Sequence, residues 1–185
     1  MQVELKVNGK TVHAEISEEQ AKILGLVEDT PKTGYERGKN GKLYYCVEED
    51  GHLLRYAEGN DSADDNFYGI GNYYSDKTIA ENNARADRLQ RCLRQWQAQN
   101  DEPISVEDWN NESKKKWFII YSSGEMYAEY YYIMRLPNTI YFATKEKAEE
   151  AIEVFKDELI WYFTEYVQRL DISTHTLRGE RDECH

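Results

Sequence analysis

The chain has 185 residues, of which 40% are hydrophobic, with 35 acidic side chains against 23 basic ones and a net charge of −12. That is enough apolar material for one domain or two small ones, and the acid excess repels nucleic acid as a whole while favouring basic surfaces. No apolar run approaches the roughly 18 residues of a membrane span. Cys46, Cys92 and Cys184 are too scattered for a disulfide framework or zinc cluster, so a reducing, cytoplasmic setting is expected.

The chain opens on alternating apolar residues, Val3, Leu5, Val7, then Val12, Ala14, Ile16, around Asn8-Gly9, which predicts a β-hairpin. The absence of an apolar h-region in this stretch argues against a secretory leader. Ser17-Glu18-Glu19-Gln20 is a capping box that starts a short helix ending near Gly25. Residues 28–41 read as loop, residues 43–47 and 53–57 as a second hairpin turning at Asp50-Gly51, and residues 58–75 as irregular. A long helix is expected over 76–99, capped by Ser75, with Ala86, Leu89, Leu93 and Trp96 on one face. Residues 100–113 read as a loop or linker.

The last third predicts three antiparallel strands, 117–121, 126–134 and 139–143. Thr144 then caps one amphipathic helix to about Tyr166, with the stripe Ala148, Ala151, Ile152, Phe155, Leu159 and Phe163. The expected fold class is α+β: N-terminal β-hairpins with a short helix, a long central helix, and a C-terminal three-stranded antiparallel sheet packed by one helix. The expected divisions are a β-rich region 1–75, the central helix 76–99, a βββα unit 114–168 and a disordered tail 171–185. No internal repeat is apparent.

No arrangement for chemistry emerges. Of the four histidines, His175 and His185 fall in the tail, and His13 and His52 read as surface residues, so no nucleophile–base pair is formed. Gly69-Ile70-Gly71 has Tyr74 where a dinucleotide fingerprint needs its third glycine. Asp61, Asp64 and Asp65 lack the alternation of a calcium loop, being interrupted by Ala63 and followed by Asn66. No catalytic residue, metal or cofactor is expected.

Two charged features point to binding. Glu48, Glu49, Asp50, Glu58, Asp61, Asp64 and Asp65 form an acidic patch suited to a basic cleft, where complementary potentials steer docking. Ordinary solubility charge is the plainer reading. Residues 76–99 carry a net +2, and Arg85, Arg88, Arg91 and Arg94 recur every third position, which rotates each about −60° from the last. With the run Lys114, Lys115, Lys116 they are candidates for gripping phosphates. The plainer reading there is a solvated helix face partly neutralised by Glu81 and Asp87.

Three blocks carry a family resemblance. They are Lys32-Thr33-Gly34-Tyr35-Glu36-Arg37 with Lys42-Leu43-Tyr44-Tyr45; Asn72-Tyr73-Tyr74-Ser75-Asp76 with Ala80-Glu81-Asn82-Asn83-Ala84-Arg85-Ala86-Asp87; and Ile140-Tyr141-Phe142 with Ala148, Ala151-Ile152-Glu153 and Phe155-Lys156-Asp157-Glu158-Leu159, continuing to Trp161-Tyr162-Phe163-Thr164-Glu165-Tyr166. The layout resembles small phage and prophage proteins of gut Firmicutes, a family that includes a type II-A anti-CRISPR inhibitor of Cas9. The resemblance implies a cytoplasmic protein of the bacterial host cell that binds Cas9, or another basic nucleic-acid enzyme, and blocks its DNA targeting or cleavage without catalysis. With no apolar run long enough to span a bilayer, no membrane partner is expected. A phage accessory protein binding DNA or RNA is the alternative.

Overall fold

The computed structural model describes residues 2–7, 10–24 and 33–169. The chain is mixed α+β and divides into two compact units, the second spanning Gly34–Arg169. The first unit holds strands β1 (Gln2–Val7) and β2 (Lys10–Glu15), paired antiparallel with Val3 opposite Ala14, and helix α1 (Glu18–Ile23). The predicted capping box closes both ways. Gln20 N–H donates to Ser17 Oγ at 3.1 Å, and Ser17 N–H to Gln20 Oε1 at 2.9 Å. The Asn8-Gly9 turn, the loop at 25–32 and the tail 171–185 lie outside the described residues.

In the second unit, β3 (Leu43–Val47) and β4 (Leu53–Ala57) form the expected hairpin. On the side of β3 away from β4, Tyr45 and Tyr74 exchange backbone hydrogen bonds of 2.8 and 2.9 Å. The Asn72 amide extends this edge by bonding Val47 N–H and C=O, at 2.7 and 2.9 Å. Two residues beyond Tyr74, Asp76 caps α3 (Lys77–Asn100) through Ile79 N–H. Asp76 takes the capping role expected of Ser75, whose hydroxyl instead donates to Glu36 at 2.8 Å.

The C-terminal elements repeat this plan. Strands β5 (Lys116–Ser122) and β6 (Glu125–Tyr131) form a hairpin, and Trp117 exchanges bonds of 2.9 and 2.7 Å with Phe142. Two residues beyond Phe142, Thr144 caps α5 (Lys145–Val154). The correspondence continues in the helices. Lys77 pairs with Glu81 at 2.8 Å and Lys145 with Glu149 at 2.9 Å, and Ala80 and Ala148 are both fully buried at the same step. Tyr44 and Cys46 flank Tyr45 as buried positions, as Lys116 and Phe118 flank Trp117. The expectation of no internal repeat is therefore corrected: a hairpin–bridge–helix module occurs twice. Tyrosine in one copy and lysine in the other fill the same buried position, which conceals the repeat at the level of residue type.

Three other expectations change. The third C-terminal strand, 139–143, shrinks to the single Trp117–Phe142 bridge, so each sheet has two strands. Pro137 offers no N–H, and Asn138 sits at φ 56°, in the left-handed region, so residues 136–141 close into a loop. Leu136 N–H donates to the Tyr141 hydroxyl at 2.7 Å within it. Second, the final helix breaks at Phe155 into α5 and a further helix, α6 (Lys156–Thr164). The bend turns Ala148, Ala151 and Leu159 onto one core with Leu89, Leu93, Ala128 and Phe142. Third, residues 58–75 and 100–113 each hold a helix, α2 (Ser62–Gly69) and α4 (Val106–Asn110). Both start at capping boxes, Asp61 with Asp64 and Ser105 with Asp108.

Gly34 ties the entering loop to α3, its carbonyl accepting Ser75 N–H at 2.8 Å. Its φ is +86°, and a Cβ there would stand 2.7 Å from Ile79 Cγ1. Gly34→Ala is therefore expected to cost at least roughly 1–2 kcal/mol from the left-handed backbone alone, with the contact adding to it. Chemical denaturation checks this, and an unchanged midpoint would refute it.

Candidate binding surfaces

The acidic positions do not form one patch. Glu48, Glu49 and Asp50 are exposed at the tip of the β3–β4 hairpin, whereas Glu58, Asp61, Asp64 and Asp65 lie beyond the opposite end of β4. The five residues of β4 put roughly 17 Å between the groups. Glu58 and Asp64, expected at the surface, are buried at 1% and 3% exposure.

Burial of these two carboxylates is sustained by complete partnering. Arg37 forks onto Glu58, with Nε at 3.2 Å and an Nη at 3.0 Å, and reaches Asp65 at 2.6 Å with its other Nη. The Tyr73 hydroxyl donates to Glu58 at 2.9 Å, and Asn60 N–H donates to it at 2.9 Å. Asp64 accepts from the Tyr44 hydroxyl at 2.7 Å and from Gly59 and Asp61 N–H at 2.7 and 3.2 Å. The rings of Tyr44 and Tyr73 stack at 4.0 Å. The Tyr44 hydroxyl, with the Gly59 and Asp61 amides, holds the Asp64 carboxyl down to about 2 against the opposing effect of burial. The Arg37 guanidinium, with Tyr73 and Asn60, lowers that of Glu58. Among the described residues no buried side-chain polar atom lacks a partner. A cluster satisfied in this way fixes structure. It joins the loop at 34–42 to β3, α2 and the Tyr73 segment.

The basic positions also divide. Arg85 is bound internally: it pairs bidentately with Glu158 at 2.8 and 3.1 Å and lies 4.0 Å from the Trp161 ring centroid. Arg88, Arg91 and Arg94 are exposed. Lys114 pairs with Asp108 at 2.8 Å, and Lys115 lies over the Tyr130 ring at 4.1 Å. Lys116 is fully buried, a correction to its expected place in a phosphate-binding run. Its ammonium donates to the carbonyls of Tyr132 and Asn111, the latter at 3.0 Å, and burial lowers its pKa. It fastens α4 and the end of β6 to the sheet, beside Trp109, whose ring carries Arg135 on it at 4.2 Å.

Two concavities are relevant to a ligand. A groove of about 250 Å³ lies between the β3–β4 tip and α3, lined by Asp50, His52, Leu53, Glu81, Arg85 and Arg88. His52 Nε2 is 3.9 Å from Asp50, too far for a base held by a hydrogen bond. A second cavity, about 240 Å³, opens among Leu93, Ile119, Ile140, Phe142, Leu159 and Phe163. Both fall below the roughly 300 Å³ at which small-molecule sites begin, whereas a wide, shallow depression of about 630 Å³ between Trp96, Asn100 and the α5 glutamates Glu146, Glu149, Glu150 and Glu153 exceeds it. Cys46 is buried, and that burial, with Glu48 nearby, pushes its thiol up, opposite to what a nucleophile needs. Among the described residues, no group of three or more His, Cys, Asp or Glu side chains is placed to hold a metal ion, and no helix is long and apolar enough to cross a membrane.

Compared with protein-family models, curated proteins and solved structures, the chain matches none. The two hairpin tips differ in kind. Ser122, Ser123 and Gly124 turn β5 into β6 without charge, whereas the first tip carries Glu48, Glu49 and Asp50. Sequence reasoning identified that tip but merged it with the acids of α2. The two capping boxes, Asp61 to Asp64 and Ser105 to Asp108, were legible signals for the helices it read as loop.

Proposed function

We propose that this protein works by binding a basic macromolecule without chemistry of its own, and that the partner is the Cas9 nuclease, as the phage-family resemblance implies. The observation that carries this reading is the hairpin tip. Glu48, Glu49 and Asp50 stand exposed and consecutive, with no lysine or arginine paired to them among the described residues, in a chain of net charge −12. Three carboxylates without a lysine or arginine partner on one turn present a dense negative field to a positively charged groove. Behind the tip a groove runs to α3, with Arg85 and Arg88 along its wall.

The test is co-elution with Cas9 on a sizing column, with and without guide RNA, at low salt. Wild type is expected to co-elute, and the triple variant Glu48→Lys, Glu49→Lys, Asp50→Lys to lose at least tenfold in affinity, an effect that shrinks as salt rises. No co-elution of wild type at low salt removes Cas9 as the partner. Binding that survives the charge reversal removes the tip as the contact.

A further inference from the structure

We infer that the solvent face of α3 is a contact surface for the phosphate backbone of a nucleic-acid duplex, made by Arg88, Arg91 and Arg94. Four arginines occur at intervals of three along this helix, but only these three are available. Arg85 is occupied by Glu158 and Trp161, while Arg88, Arg91 and Arg94 are exposed and form no ion pair among the described residues. From Arg88 to Asn100 the helix has no acidic residue, in a chain with 35 of them. Towards the C-terminal end of the helix the exposed neighbours on this side, Gln95, Ala98 and Gln99, are uncharged, and the two glutamines donate and accept hydrogen bonds; Asp87, exposed one turn before Arg91, is the acid that borders the face.

The spacing suits a regular array of anions. Arg88 to Arg94 rises about 9 Å along the helix and sweeps about 120° around it. One strand of duplex DNA presents a phosphate every ~3.4 Å of axis, so the ridge spans about three phosphates. Each guanidinium fork matches phosphate oxygens in a way lysine does not. The mode is a duplex backbone rather than a single strand, because single strands are held by aromatic stacking platforms. The helix offers no aromatic ring on this face: Trp96, the one aromatic between Arg88 and Asn100, is turned to the core, 6.1 Å from Phe142. Neutralising phosphates with these guanidiniums releases condensed counterions, which makes the contact strongly salt-dependent.

Fluorescence anisotropy with a labelled DNA duplex and the matching single strand, titrated with full-length protein from low to moderate salt, tests this directly. Wild type is expected to bind the duplex more tightly than the single strand. The variant Arg88→Gln, Arg91→Gln, Arg94→Gln is expected to lose at least ~10-fold in affinity and to flatten the log–log salt slope by roughly 2 to 3, about 0.9 for each contact removed. Glutamine preserves helix propensity, Arg85 is left in place, and circular dichroism confirms the fold. The single variant Arg91→Gln, with a slope change near 1, serves if the triple variant unfolds. Absence of duplex binding at low salt, or an unchanged slope in the variants, overturns the assignment. Tighter binding to an acidic polypeptide than to the duplex overturns it in favour of a protein partner. The hairpin-tip reversal removes acids beside Arg88 and is expected to keep or tighten duplex binding while it weakens Cas9 binding, so failure of the Cas9 reading and failure of this one give different patterns.

Discussion

Phe142→Ala is expected to cost about 3–5 kcal/mol of stability, the range for removing a fully buried phenylalanine. Against the 5–15 kcal/mol typical of whole domains, that is a large share. Phe142 is wholly buried and lies in the core cluster with Leu89, Leu93, Ala128, Ala148, Ala151 and Leu159. Its backbone also bridges to Trp117, and the adjoining Ala143 N–H donates to Asp101 at 2.7 Å, at the C-cap of α3. One residue thus joins the β5–β6 hairpin to α3 and α5. Urea denaturation followed by circular dichroism measures the loss. A change under about 1 kcal/mol would mean that the site repacks freely and that the bridge residue is not central to the core.

The second large effect is acid sensitivity centred on Asp64. Its folded pKa of about 2 lies below the ~3.9 of an unfolded aspartate. For a depressed carboxyl the unfolded state binds the proton first as pH falls. Its contribution is therefore fully present above about pH 4–5 and is lost progressively as pH drops toward 2. Glu58, also lowered, acts in the same direction. Asp64→Asn keeps an acceptor for the Gly59 and Asp61 amides and lets its NH₂ donate to the Tyr44 hydroxyl, so it removes chiefly charge. Asp64→Ala leaves the hydroxyl and both amides without this partner and is expected to lower the melting midpoint by roughly 5–10 °C at pH 7. For Asp64→Asn the gap from wild type should be widest near neutrality and close as pH falls from 5 to 2. A gap independent of pH would show that the carboxyl titrates normally in the folded protein.

The same cluster shows why charge in a sequence is a poor guide to surface. Glu58, Asp64 and Lys116 resemble their exposed neighbours in type and local context. What buries them is the arrival of partners distant in sequence: Arg37 and Tyr73 for Glu58, Tyr44 for Asp64, and the carbonyls of Asn111 and Tyr132 for Lys116. Arg85 differs from Arg88 only through Glu158 and Trp161, which α6 carries to it. Nothing in a spacing of three residues separates the anchored arginine from the free ones.

Local rules with a short reach were sufficient for much of the rest. Alternation and turn chemistry placed the β3–β4 hairpin at residues 43–47 and 53–57, and helical periodicity located α3 and its buried stripe, because each depends on neighbours within a turn or a strand pair. The α+β class followed from those elements alone. Tertiary structure decided the break at Phe155, across which Ala148, Ala151 and Leu159 share one core, and the reduction of the third strand to one bridge, where Pro137 and Asn138 close a loop. It also decided the twofold use of one module and the selection, from many charged side chains, of those left facing water. These outcomes depend on which distant groups meet, and burial of a charge is tolerated only where such a meeting supplies its hydrogen bonds.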